Sequence, residues 1–219
     1  MNKTLLSSAL TAALLSLGAA APGMAQAQTA APEASPLTFN AGVVSEYRYR
    51  GISQTRFQPA VQGGADYAFS NGFYLGAWAS TIKWIKDSKG GADVELDLYG
   101  GYKGTISEGL TYDVGALRYV YPSNGLKPSA DTQEIYGAIT AGAFTIKYSH
   151  ATSNLFGFAN SSGSGYLDVT GTFDLGGGYT LAPHVGHQRV DGKGNGIYSY
   201  TDYALTLRKT SAAWCPASP

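Results

Sequence analysis

Leu37-Thr-Phe-Asn-Ala-Gly-Val-Val-Ser-Glu-Tyr-Arg-Tyr-Arg-Gly-Ile52 is the stretch on which the reading of this chain turns. Its odd positions, Leu37, Phe39, Ala41, Val43, Ser45, Tyr47 and Tyr49, are mostly apolar or aromatic. Its even positions, Thr38, Asn40, Gly42, Val44, Glu46, Arg48 and Arg50, hold the charged groups. Successive side chains of a strand point to opposite faces, so a period of two gives one apolar and one polar face. A helix would spread Glu46, Arg48 and Arg50 around its circumference. The stretch predicts one long β-strand, and the same alternation recurs in about ten runs along the chain.

Outward from this first strand, the pattern predicts further strands over 59–69, 73–84, 93–104, 110–121, 131–140, 144–153, 166–175, 179–189 and 197–207. In 93–104, Val94, Leu96, Leu98, Gly100 and Tyr102 alternate with Asp93, Glu95, Asp97, Tyr99 and Lys103. The run 73–84 is apolar at both parities, which leaves its inward face unassigned. Arg118 falls on the apolar parity of its strand, a position suited to a membrane interface. Pro183 removes a ladder donor from 179–189. Ser70-Asn71-Gly72, Ser107-Glu108-Gly109, Ala141-Gly142-Ala143 and Gly176-Gly177-Gly178 are tight turns, Asn-Gly in particular accepting positive φ. The alternate connections are mostly longer and polar, notably 122–130 and 154–165. Transmembrane barrels sort their connections this way, with short periplasmic turns and longer extracellular loops. The expected fold is therefore all-β, an antiparallel transmembrane β-barrel.

The ends of the chain read differently. Lys3, the apolar run from Leu5 to Ala20 and the small residues Ala25-Gln26-Ala27 predict a cleavable export signal over 1–27. An Ala- and Pro-rich linker, 28–36, leads into a barrel domain, 37–208. The tail 209–219 lacks alternation and carries two of the prolines, so closing strands are expected to be missing or replaced there. No other apolar run approaches the roughly 18–20 residues of a helical span. With 29 Gly, 16 Tyr, only 14% charged residues and zero net charge, the composition suits a lipid-facing wall and argues against a nucleic-acid surface. The single cysteine, Cys215, provides neither a disulfide framework nor a thiolate metal site.

The charged positions on polar parities are the candidate lumen lining: Glu46, Arg48, Arg50, Asp66, Glu95, Asp97, Asp113, Lys147, Asp168, Asp174 and Asp202. Rings of such charge set ion preference in pores. They could instead pair across a narrow interior and only hold a structural barrel together, since eight strands are filled by side chains and 16–18 leave a channel. Tyr47, Tyr49, Tyr67, Tyr102 and Tyr148 are expected in interfacial girdles. A lipid-hydrolase barrel would need a hydroxyl nucleophile beside a histidine. His150-Ala151-Thr152-Ser153 is its candidate, but His150 and Ser153 fall on opposite faces. His184 and His187 also oppose one another, so no metal site and no cofactor are expected. A lipocalin-like soluble barrel shares the alternation, with its apolar face inward.

Several of these segments resemble the TorF family of proposed porins, also described as the Gcw_chp family. They are Ser45-Glu-Tyr-Arg-Tyr-Arg-Gly-Ile-Ser-Gln54, Pro59-Ala-Val-Gln-Gly-Gly64, Gly72-Phe-Tyr-Leu-Gly-Ala-Trp78, Glu95-Leu-Asp-Leu-Tyr-Gly-Gly-Tyr102 and Tyr112-Asp-Val-Gly115. The likeness runs from Leu37 to Leu207. It implies an outer-membrane barrel of about twelve strands, against about ten recognisable here. Residue pattern and resemblance together lead to the expectation of passive diffusion of small solutes or ions through a polar lumen, without enzymatic chemistry, in a Gram-negative outer membrane. Its partners would be outer-membrane lipids, small polar solutes and the barrel-assembly machinery.

Overall fold

The computed structural model describes residues 35–210, so the expected signal, most of the linker and the tail beyond Thr210 lie outside the described residues. The chain forms β1 (Leu37–Val44), the short pair β2 (Arg48–Tyr49) and β3 (Ile52–Ser53), β4 (Ala60–Ala68), β5 (Phe73–Thr81) and a one-turn helix α1 (Trp84–Asp87). Next come β6 (Val94–Ser107), β7 (Leu110–Val120), β8 (Thr132–Ala141), β9 (Phe144–Ala151), β10 (Gly165–Gly171), β11 (Phe173–Gly176) and β12 (Tyr179–Arg189). A 3-10 turn, Asn195–Tyr198, precedes β13 (Tyr200–Lys209).

All but β2 and β3 join one 11-stranded antiparallel sheet in which strands pair in chain order, except that β10 and β11 lie end to end and both pair with β12. The tight turns all fall at one end and the long connections (45–59, 82–93, 121–131, 152–164 and 190–199) at the other. That is the sorting expected from the sequence. No ladder joins β1 to β13 among the described residues, so the sheet there has two edges rather than a closed seam.

The faces sort sharply. Phe39, Val43, Val61, Leu75, Val114, Ile135, Ile139, Ile146, Leu205 and Leu207 point outward and are exposed. The opposite parity holds Gln62, Ser80, Glu95, Asp97, Glu134, Ser149 and Gln188, which are buried. This is the reverse of a lipocalin-like barrel, whose apolar face is inside. In β5, which the sequence left open, Trp78 and Ser80 face inward while Phe73 and Leu75 face out. Arg118 points outward and is exposed near the long-loop end, opposite Gln133 of β8.

Glycines make room for inward tyrosines. Gly76 lies opposite Tyr99, Gly101 opposite Tyr74 and Gly115 opposite Tyr136 on adjacent strands. A Cβ on Gly115 would lie 2.5 Å from the Tyr136 hydroxyl and 2.6 Å from the Gly100 carbonyl. Pro183 has the consequence its missing N–H predicts. The partner of β12 is interrupted between Thr170, opposite His184, and Phe173, opposite Leu181, and this splits the expected strand 166–175 into β10 and β11.

Two expectations about the first strand are overturned. It does not continue to Ile52: β1 ends at Val44, opposite Ala60, where β4 begins just after Pro59. Beyond that point no neighbouring strand offers a ladder, and the chain bends inward at Ser45. The second correction follows from the first. Tyr47 and Tyr49, expected in an outer girdle, are drawn inside, Tyr47 to 1% exposure.

Candidate functional site

The inward segment is a miniature hairpin. Arg48 pairs with Ser53 and Tyr49 with Ile52, and Arg50 and Gly51 form the tip at φ 46° and 76°. Two successive positive φ values define a turn whose twist suits a two-residue hairpin, and glycine takes the second at no steric cost. At the root, the Gln54 N–H donates to the Tyr47 carbonyl (2.8 Å), and the Gln54 carbonyl accepts from Lys83 N–H (2.8 Å).

The sheet curls around this hairpin. The Tyr47 hydroxyl donates to Glu95 on β6 (2.7 Å), and its ring meets Trp78 of β5 edge-on at 5.4 Å. Tyr49 shares a hydroxyl–hydroxyl bond with Tyr119 of β7, and both rings pack against Phe156. Arg50 makes a two-pronged ion pair with Glu134 on β8 (2.9 and 2.8 Å) and donates to Gln188 on β12 (2.9 Å). Its guanidinium lies 4.3 Å from the ring centre of Tyr166 on β10. A Cβ on Gly51 would come within 2.6 Å of that of Asp202 on β13. One hairpin thus reaches strands from β5 to β13.

Burial makes these contacts consequential. The Arg50 and Glu134 side chains are only 6% and 3% exposed, so the pair is little screened by solvent. Two parallel charge-assisted bonds fix direction as well as distance. Beside it Asp97 is fully buried, its register neighbours being Trp78 and Tyr119, and neither carboxylate oxygen has a partner among the described residues.

Toward the tight-turn end the inner face carries further polar pairs. Tyr99 donates to Asp66 (2.5 Å), and Tyr74 donates to Asp113 (2.6 Å) and contacts the Tyr136 hydroxyl. Lys103 pairs with Asp113 at 3.7 Å, and the Lys147 ammonium sits 4.0 Å from the centre of the Tyr136 ring. His184 contacts Asp168 and Asp202, each at 3.0 Å, while the Tyr166 hydroxyl donates to Asp202 (2.9 Å).

Of the sequence-derived lumen candidates, Asp66, Glu95, Asp97, Asp113, Lys147, Asp168 and Asp202 lie on the inner face, and Arg50 reaches it from the hairpin. Glu46 and Arg48 are corrected: they pair with each other at 3.0 Å, and Arg48 is half exposed over Phe57 near the hairpin root. Asp174 is also corrected. It is exposed at a tight turn, accepting the Gly176 N–H (2.8 Å). Sequence reasoning missed Glu134, Gln188, His184 and the inner tyrosines, although Thr132, Glu134 and Tyr136 share one parity that parity counting could have found.

Among the girdle candidates, Tyr67, Tyr102 and Tyr148 are outward. Tyr67 with Phe69, Phe73 with Tyr102, and Phe144 with Phe173 form edge-on aromatic pairs at the tight-turn end. Tyr148 lies mid-strand, opposite Gly137 and Leu167. His150 stacks near Tyr148 on the outer face, whereas the Ser153 hydroxyl accepts from Gln133 N–H (2.8 Å). His184 is inside, and His187 is outside against Thr201.

These features define an all-β protein, a curled antiparallel sheet with an apolar exterior and a polar, hairpin-filled interior. The model of the family described as "Bacterial protein of unknown function (Gcw_chp)" matches residues 27–217, and the chain belongs to that family. No curated protein and no solved structure matches it.

Proposed function

We propose that the protein is exported to the outer membrane of a Gram-negative cell and forms a small porin-type wall there, its apolar exterior against lipid and its polar interior the path for small solutes or ions. The observation that carries this reading is the sorting of faces over every long strand. Large apolar side chains such as Phe39 (65% exposed) and Leu205 (72%) stand outside, while carboxylates and tyrosine hydroxyls stand inside. In water such a surface would be far larger than the few hundred Å² of apolar patch a soluble monomer exposes. In a bilayer it is the favourable arrangement. The aromatic pairs at the tight-turn end support it, since amphipathic rings favour the membrane–water boundary.

A second reading, a non-conducting structural barrel, is favoured by one observation: the hairpin stands across the interior and its Arg50 is paired there. Refolding residues 28–219 into lipid and comparing cold and boiled gel mobility tests the membrane wall. Potassium chloride current across planar bilayers then separates the two readings. A mobility shift with measurable current supports the porin; a shift without current supports the structural barrel. No shift refutes both.

A further inference from the structure

We infer that the hairpin from Tyr47 to Gln54 is a hinged plug at the long-loop mouth, latched by Arg50, and that its withdrawal opens the interior. This rests on the porin reading above and adds how passage would be controlled.

The attachment is asymmetric. Among the described residues, backbone hydrogen bonds to the wall hold the root, where the Gln54 carbonyl accepts from Lys83 and Trp84 N–H (2.8 and 3.3 Å), and the Tyr47 N–H donates to the side-chain hydroxyl of Thr55 (3.2 Å). Among the described residues the tip is held through side chains, chiefly the Arg50 fork on Glu134 and Gln188. Chain direction changes on both flanks of the root, at the Ser45 bend and at Arg56 and Phe57 with φ 55° and 57°. Such element-terminal positions are where hinges absorb backbone rotation.

Polar groups on the plug, beside its root and in its seat are also incompletely satisfied. Arg50 Nε, Glu46 Oε1 and both Asp97 oxygens are buried without a partner among the described residues. Arg50 itself adopts a left-handed backbone conformation disfavoured for a side chain of its kind. Unpaired buried polar groups and a strained tip raise the free energy of the plugged state relative to one in which these groups meet water. Opposing this, Tyr47 and Tyr49 are packed against Trp78, Tyr119 and Phe156, so the plugged state predominates at rest. The result is a two-state element whose balance the Arg50 latch biases.

The test is single-channel current in potassium chloride for the wild-type chain, Arg50→Ala, Glu134→Gln and a chain in which residues 47–54 are replaced by a short Gly-Ser link. Gln188→Met, which spares the ion pair, serves where the charge variants fold poorly. The plug predicts brief, rare openings for wild type. Arg50→Ala and Glu134→Gln should raise the open fraction about tenfold or more, because losing a charge-assisted hydrogen bond shifts a two-state balance by that factor. Gln188→Met should raise it by less, and the linker chain should stay open. A changed open-state conductance at constant open fraction would show a fixed constriction and overturn the plug while leaving the porin intact. Absence of current from a folded linker chain would overturn both.

Discussion

Removing Arg50 alone and removing it together with Glu134 should have very different effects on stability. The two side chains are 6% and 3% exposed and share two hydrogen bonds of 2.9 and 2.8 Å, so their charges were taken out of water and compensate each other. Arg50→Ala leaves Glu134, among the described residues, with only the Tyr119 hydroxyl at 3.2 Å as a donor, in a neighbourhood that already contains Glu95 and Asp97. Breaking a buried pair from one side costs about 3–5 kcal/mol. Replacing both partners by apolar groups of similar volume, Arg50→Met with Glu134→Leu, removes the desolvated charges and should return the cost to within about 1 kcal/mol of wild type. The assay is urea unfolding in detergent micelles, followed by tryptophan fluorescence. Trp78 reports directly because it packs on Tyr47 of the same hairpin. A double-mutant cycle gives the coupling. If Arg50→Ala costs less than about 1 kcal/mol, or the double variant is as unstable as the sum of the singles, the pair is not the buried, compensating interaction described above.

Other expectations follow from the wall and the loops. Val114→Arg, mid-strand on the outer face and 48% exposed in the wild type, should cost about 2–4 kcal/mol in lipid, measured by folding into vesicles; a negligible cost would refute the lipid-facing exterior. Gly115→Ala forces a methyl against Tyr136 and the Gly100 carbonyl and should cost about 1–3 kcal/mol in the same unfolding assay, whereas an unchanged midpoint would show that the tyrosine moves freely. Asp191, in the loop before β13, is held below the usual aspartate range by the Gly192 N–H and then by Arg189. Its depressed value means that loop order is fully supported above the unfolded-state value and lost as pH falls through the folded one. The protection of the Gly192 amide, taken relative to intrinsic exchange at each pH, should therefore fall in acid, and Asp191→Asn should abolish that dependence.

The strands were legible because a half-buried strand writes its two faces into alternate positions. Asp66, Glu95, Asp97, Asp113, Lys147, Asp168 and Asp202 were grouped on one polar face by parity alone, and the tight turns were read from their glycines and Asn71; burial shows that face to be the inner one. Even the interruption opposite Pro183 was foreshadowed, since a missing N–H cannot be supplied by context. Parity could not say which face was wet in β5, where Tyr74, Trp78 and Ser80 alternate with Phe73, Leu75 and Ala77 and neither set is charged. Curling of the sheet decided that.

The hairpin shows where local pattern fails. Residues 45–52 keep the period of two that defines β1, so nothing in their own composition announces a turn inward. What ends the strand is the absence of a partner: β4 begins at Ala60 opposite Val44, and the unpaired segment seeks its hydrogen bonds elsewhere. What receives it is a set of acceptors, Glu95 on β6, Glu134 on β8 and Gln188 on β12, far apart in sequence and brought together only by curvature. By itself, then, the sequence determined the all-β class, the sorting of faces and the two kinds of connection, because these depend on period and turn chemistry within a few residues. The tertiary structure alone decided that Tyr47, Tyr49 and Arg50 stand inside, because buried donors go where distant strands converge to accept them.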